Sequence, residues 1–89
     1  MGIEYSIRFE SRDLATTVPT ILERLCGAPN GTHYECRTNT ASSMADASVM
    51  IVGGGLYFCD NGGSGREFLG RLVAALVSAF GVIQVQEYE

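Results

Sequence analysis

His33 is the side chain of this sequence best suited to acid–base or metal chemistry, and it is the only histidine. A general base or a metal site needs partners, and Glu35 would share one strand face with it. Glu4, Glu10 or Asp60 could approach from elsewhere in the chain. No second nitrogen ligand and no catalytic signature accompanies them. We therefore expect no catalytic residue, no metal and no cofactor, and an enzyme that uses His33 is the least favoured hypothesis.

Residues 61–65 (NGGSG) form a glycine-rich turn that would connect a strand to a helix. Free backbone N–H groups and the helix dipole at such a point can bind an anion. The run lacks the lysine and the spacing of a phosphate loop. The alternative is a plain turn in which Ser64 and Glu67 form a capping box. A sensor of a small anionic ligand would use Gly62, Gly63, Ser64, Gly65 and Arg66.

The three cysteines are Cys26, Cys36 and Cys59. Their odd number, their wide spacing and a strand-like N-terminus (MGIEYSIRFE) that is unlike a signal peptide predict reduced thiols and a cytoplasmic protein. There is no CxxC pair, so neither a zinc site nor a thioredoxin-type site is indicated. We expect each cysteine to act as a small buried hydrophobic residue.

Ten acidic residues and six arginines, with no lysine, give a net charge of −4. The arginine bias is typical of a GC-rich genome, or it serves an interface that needs planar, bidentate donors. The acidic balance argues against nucleic-acid binding, which depends on cationic groups. A partner chosen by electrostatics would be basic.

The chain is 89 residues long, with a mass of 9.5 kDa, which predicts a single domain over residues 1–89. A chain of this size buries only roughly 60–65% of its unfolded surface, so self-association could add stability. No apolar run reaches the roughly 20 residues that a membrane span needs, and we expect no membrane partner.

Apolar residues at helical spacing predict two helices. The first begins near position 16 or 17, or has a kink at Val18, because Pro19 is tolerated only in a first turn. Gly27 ends it. The second helix is predicted at 65–80, where Gly70, Ala74 and Ser78 would admit a neighbouring helix or a second copy.

Alternating and apolar runs predict five strands, at 3–10, 32–38, 48–52, 56–60 and 82–88. Residues 39–47 are small and polar and form the best candidate for a mobile loop.

The order β-α-β-β-β-α-β predicts an α+β two-layer sandwich with both helices on one sheet face. Right-handed crossovers would make the five-stranded sheet mixed, with only 48–52 reversed, in a ferredoxin-like plan with an extra strand. The expected core comprises Ile7, Phe9, Ile21, Leu25, Phe68, Leu72, Leu76 and Val85.

The other sheet face should be polar. It would carry Glu4, Ser6, Arg8 and Glu10 beside whichever of His33, Glu35, Arg37, Gln84 and Gln86 are their neighbours. This face is either simply solvated or a docking surface.

Apolar residues exceed what two layers can cover, because residues 49–52 and 56–59 are continuously apolar and half of each run must point away from the helices. Soluble monomers seldom leave such a patch bare, and a second copy across a two-fold axis would cover it. The alternative is that the 39–47 loop folds over the patch, with Met44 as its apolar contact. The predicted interface comprises Met50, Val52, Tyr57, Cys59, Arg8, Glu35 and Arg37.

The leading hypothesis is therefore a small, acidic, non-enzymatic protein-interaction module that forms a homodimer. One concrete version is an inhibitor or immunity-type protein that binds a basic partner.

Overall fold

The computed structural model describes residues 3–10, 17–38 and 45–87, which contain five strands and two helices. The predicted element order is confirmed, and the predicted helix at 65–80 has the observed bounds. The strands predicted at 3–10, 32–38 and 82–88 are shorter than predicted, and those predicted at 48–52 and 56–60 each begin one residue earlier. The elements are β1 (Ile3–Arg8), α1 (Thr17–Cys26), β2 (His33–Cys36), β3 (Ala47–Val52), β4 (Gly55–Asp60), α2 (Gly65–Phe80) and β5 (Gln84–Glu87). Most of the predicted 39–47 loop, including Met44, lies outside the described residues, as does Tyr88.

The start and end of α1 follow from its sequence. The helix begins at Thr17, so Pro19 lies in its first turn, where a missing N–H costs nothing. It ends at Cys26, and the next residue, Gly27, has a φ of +85° and an N–H that donates to the carbonyl of Glu23. Glycine adopts this left-handed conformation without a steric penalty.

The sheet has the strand order β2-β3-β4-β1-β5, and all four neighbouring pairs are antiparallel. The predicted mixed sheet is therefore wrong, although the α+β sandwich is confirmed. The cause lies in β1, which pairs antiparallel with both β4 and β5. Consequently α1 joins two strands that run in opposite directions and are separated by β3 and β4. β4 and β5 are both antiparallel to β1 and therefore run in the same direction as each other. Of the two described helices, only α2 connects strands that run in the same direction.

The core lies between the helices and the inner face of the sheet, the face that carries Ile7, Leu56 and Phe58. Both helices contribute fully buried side chains, among them Leu22 and Leu72. The buried cluster also includes Phe9, Val18, Tyr34, Cys36, Ala47, Val49, Phe68 and Leu76.

Three residues of the predicted core depart from full burial. Ile21 and Leu25 are only partly buried, because Val18 and Leu22 form the side of α1 that faces the sheet. Val85 is 42% exposed, so its predicted burial is wrong. It lies on the edge strand β5, beyond the strands that the helices contact most, β2 and β4.

A disulfide bond joins Cys26, at the end of α1, to Cys36, on the inner face of β2, with a Cα–Cα distance of 4.3 Å. The expectation of three reduced thiols is wrong for this pair. Only Cys59 is free. Neither of the described helices is long and apolar enough to cross a membrane.

Candidate functional site: the outer sheet face

The face of the sheet opposite the helices, called the outer face below, is defined by strand alternation and register. Its central row runs from His33 through Met50, Tyr57 and Ser6 to Gln86, one residue from each strand. A second row contains Glu35, Ser48, Cys59 and Glu4, and a third contains Val52, Gly55, Arg8 and Gln84. The described helices pack on the inner face, so neither of them covers this surface.

The centre of the outer face is apolar and aromatic. Met50 and Tyr57 are direct cross-strand neighbours on β3 and β4, and both are half-buried. Val52, near the end of β3, is 38% exposed. Met50, Val52, Tyr57 and Cys59 thus lie on the face away from the helices, so the apolar residues of the predicted interface share one face.

Polar groups surround this centre. The Tyr57 hydroxyl donates a hydrogen bond to the Glu4 carboxylate. Ser6, between Tyr57 and Gln86, is only 8% exposed although no described helix covers it. The strands themselves therefore shield the middle of the face.

The predicted polar neighbours are only partly brought together. Arg8 pairs with Gln84, and Ser6 with Gln86, because β1 lies beside β5. Glu35 is on β2, which β3 and β4 separate from β1. It forms an ion pair with Arg37 at 3.2 Å instead.

His33 shares the outer face of β2 with Glu35, one of its predicted partners, but the Glu35 carboxylate is ion-paired with Arg37. His33 is exposed on the edge strand β2, where its Nδ1 lies 3.2 Å from Thr32 Oγ1. Glu4 is on β1, with two strands between, and Asp60 is buried at the end of β4. Over the described ranges, no three His, Cys, Asp or Glu side chains are grouped as a metal site would require.

Cys59 is the half-buried thiol of the outer face. Its Sγ donates to Asn61 Oδ1 at 3.2 Å. Burial raises the pKa of this thiol, and the neighbouring carboxylates of Glu4 and Asp60 raise it further. The group therefore stays protonated at neutral pH and is a poor nucleophile.

The glycine-rich turn at 61–65 is already occupied by carboxylates of the chain itself. Asp60 Oδ1 accepts a hydrogen bond from the Gly62 N–H at 2.9 Å. The Asp46 carboxylate lies against Gly63, where a Cβ would meet Oδ1 at 2.9 Å, and it accepts from the Ser64 N–H. A bound anion would have to displace or face these two negative charges, so this geometry does not favour the anion-sensor hypothesis. Gly65 is buried and Arg66 is exposed.

The predicted capping box is wrong, because Ser64 makes no side-chain capping hydrogen bond. Asp46 provides an acceptor at this helix start instead, and Thr38 holds it in place through its hydroxyl at 2.6 Å and its N–H at 3.2 Å. The Thr38 hydroxyl is the main reason that the pKa of Asp46 is lowered, with smaller contributions from the backbone N–H groups of Thr38 and Ser64 and the charge of Arg37, while burial opposes the shift.

Sequence reasoning had one available signal for this arrangement. An Asp followed two residues later by glycine is typical of a turn in which the carboxylate accepts from the backbone, and Asp60 with Gly62 fits it. Asp46 had no comparable signal, because its partners are distant in sequence.

The stripe of Gly70, Ala74 and Ser78 is exposed and does not face α1 as a unit. Instead Ala75, Ser78 and Ala79 line the groove beside α1. The side of α2 that lies beside α1 is therefore shifted by about one residue from the predicted stripe.

Comparison of the chain with family models, with curated proteins and with solved structures gives no significant match. The fold and the outer face are thus the basis for a functional proposal.

Proposed function

We propose that this protein is a non-enzymatic interaction module whose outer sheet face binds another protein. The observation that supports it is the Met50–Tyr57 pair at the centre of a sheet face that has no helical cover among the described elements. Aromatic and methionine side chains at the centre of a polar rim are the usual composition of a protein interface.

The first occupant that we propose is a second copy of the chain. A two-fold axis through the face would place the Met50–Tyr57 pairs of two protomers against each other, so each copy would cover the other. Glu4, Arg8 and Glu35 would lie at the rim, where charges set specificity more than affinity.

The net charge of −4 supports a basic partner where the occupant is a different protein. An inhibitor or immunity-type role, in which a small acidic protein neutralises a basic target, is the concrete version of this proposal.

The prediction of a cytoplasmic location rests on reduced thiols, and the Cys26–Cys36 disulfide removes that support, because such bonds persist mainly in oxidising compartments. Trapping thiols with an alkylating reagent before cell lysis tests the location. Three alkylated cysteines per chain support the cytoplasm, and one supports an oxidising compartment.

Sedimentation equilibrium at micromolar concentration tests the interface. We expect a mass of twice 9.5 kDa for the wild type and a monomer for Met50→Glu and Tyr57→Glu. Val82→Glu is the matched control, because Val82 is 81% exposed and lies outside the outer face. A monomeric wild type would eliminate the second copy as occupant. A dimer that survives both substitutions would place its interface elsewhere.

A further inference from the structure

A groove runs between the two helices on the side of the molecule opposite the outer face. It consists of two adjoining hollows of about 520 and 310 Å³, which share Ile21, Arg24 and Ala75. Thr17 lines it beside Ser78 and Ala79 at one end, and Leu25 lines it beside Arg71 at the other. The helices therefore run antiparallel along its walls.

The floor of the groove is apolar and open. Ile21 and Leu25, which the helical pattern assigned to the core, are only partly buried here. On the opposite wall α2 presents Ala75, Ser78 and Ala79, whose small side chains leave the space between the helices unfilled. Small side chains at this position would let a further backbone come close to α2.

The charge of the groove is opposite to that of the whole protein. Arg24 and Arg71 line it, and its described lining includes no acidic residue. Neither guanidinium forms an ion pair with another described side chain, and Arg37 is the arginine that does. Two arginines with no ion-pair partner among the described side chains lie beside an apolar floor and form a local cationic site, in a chain with a net charge of −4.

We propose that this groove binds an acidic amphipathic helix of a partner protein. Apolar side chains of the partner pack on Ile21, Leu25 and Ala75, in the helix-in-groove mode. Its carboxylates pair with Arg24 and Arg71, whose planar guanidinium groups suit bidentate contacts. From Thr17 to Leu25 the groove spans roughly 12 Å at 1.5 Å per residue, which matches about two turns of a bound helix. The site is separate from the outer face, so it does not depend on the proposed function above.

The test is a selection of helical peptides from a displayed random library on the full chain, followed by affinity measurement with the best peptide carrying a fluorescein label. We expect the selected peptides to carry two or more acidic residues on one face, beside an apolar stripe. Arg24→Glu with Arg71→Glu should weaken binding about tenfold or more. Arg24→Gln with Arg71→Gln should weaken it in the same direction and keeps the test valid if the charge reversal impairs folding.

Arg66→Glu is the matched control, because Arg66 is exposed on the same helix but does not line the groove. It should leave the affinity within about twofold of wild type, and Met50→Glu on the outer face should do the same. Neutral or basic selected peptides, failure of the library to yield a binder, or unchanged affinity in both double variants would each overturn the proposal.

Discussion

The two helices are attached to the same sheet by different means. The C-terminal end of α1 is bonded covalently to β2 through Cys26 and Cys36. The N-terminal end of α2 is held by hydrogen bonds to the carboxylates of Asp46 and Asp60.

Their lengths explain this difference. α1 has ten residues and buries only Val18 and Leu22 fully, whereas α2 has sixteen and buries Phe68, Leu72 and Leu76. Packing of an apolar face is the main source of helix stability in proteins. A short helix with little buried area therefore gains more from a covalent link, and the longer helix needs only its polar N-terminal contacts to fix its position.

The largest effect should come from α2. Leu72 is fully buried, so Leu72→Ala should lower the free energy of unfolding by about 2–5 kcal/mol, through lost burial and the cavity left behind. Urea denaturation followed by circular dichroism measures this. A loss below about 0.5 kcal/mol would mean that α2 is not held by its packing and would contradict the comparison.

Removal of the disulfide should have the next largest effect. The bond closes a loop with a sequence separation of ten residues, and the entropy of such a loop corresponds to about 3 kcal/mol. The double variant Cys26→Ala with Cys36→Ala should lose about this much in the same urea assay. Cys59→Ala is the control and should retain most of the stability. Equal stability of the double variant and wild type would show that the link does not hold α1.

The attachment of α2 should depend on pH. The pKa of Asp46 is lowered from 3.8 in the folded protein, so its stabilising contribution is present above the unfolded value and is lost as the pH falls through the folded one. Asp46→Asn should therefore melt at a lower temperature than wild type at pH 7, and the difference should vanish in strong acid. A difference in melting temperature that is constant from pH 7 to strong acid would show that the effect comes from the shape of the side chain rather than from its charge.

The smallest effect concerns reactivity rather than stability. With the disulfide intact, Ellman's reagent should detect one thiol per chain after unfolding and three after reduction. In the folded protein Cys59 should react slowly at pH 7, because its pKa is raised. Glu4→Gln should speed the reaction modestly by removing one of the nearby negative charges. Detection of three thiols without reduction would show that the Cys26–Cys36 bond is absent and that α1 is not covalently attached to β2.

Local patterns predicted most of the elements. The bounds of α2 follow from its apolar stripe, and the start of α1 follows from Pro19, since both features act within one helix. Alternation along β3 and β4 leaves two alternatives for each strand: either Met50 and Tyr57 point away from the helices, or their sequence neighbours do.

Long-range features could not be predicted in the same way. Strand direction depends on which distant strand β1 pairs with, and no local pattern records the register of Ile7 with Leu56. The disulfide depends on the position of α1 over β2, and an odd number of cysteines argued against it. The contacts of Asp46 with Thr38 and Ser64 likewise join segments that are separate in sequence.

The position of β1 between β4 and β5 has a consequence for synthesis of the chain. β1 is translated before its partner β4, which extends to Asp60, the residue that pairs with Ile3. β2, β3 and β4 are consecutive antiparallel neighbours and can pair as they emerge from the ribosome. At ~5–20 residues per second, β1 then waits roughly 3 to 10 seconds with Tyr5 and Ile7 exposed in the nascent chain. β1 is thus the described strand that waits longest for its first partner, and β5 adds to its other edge later still.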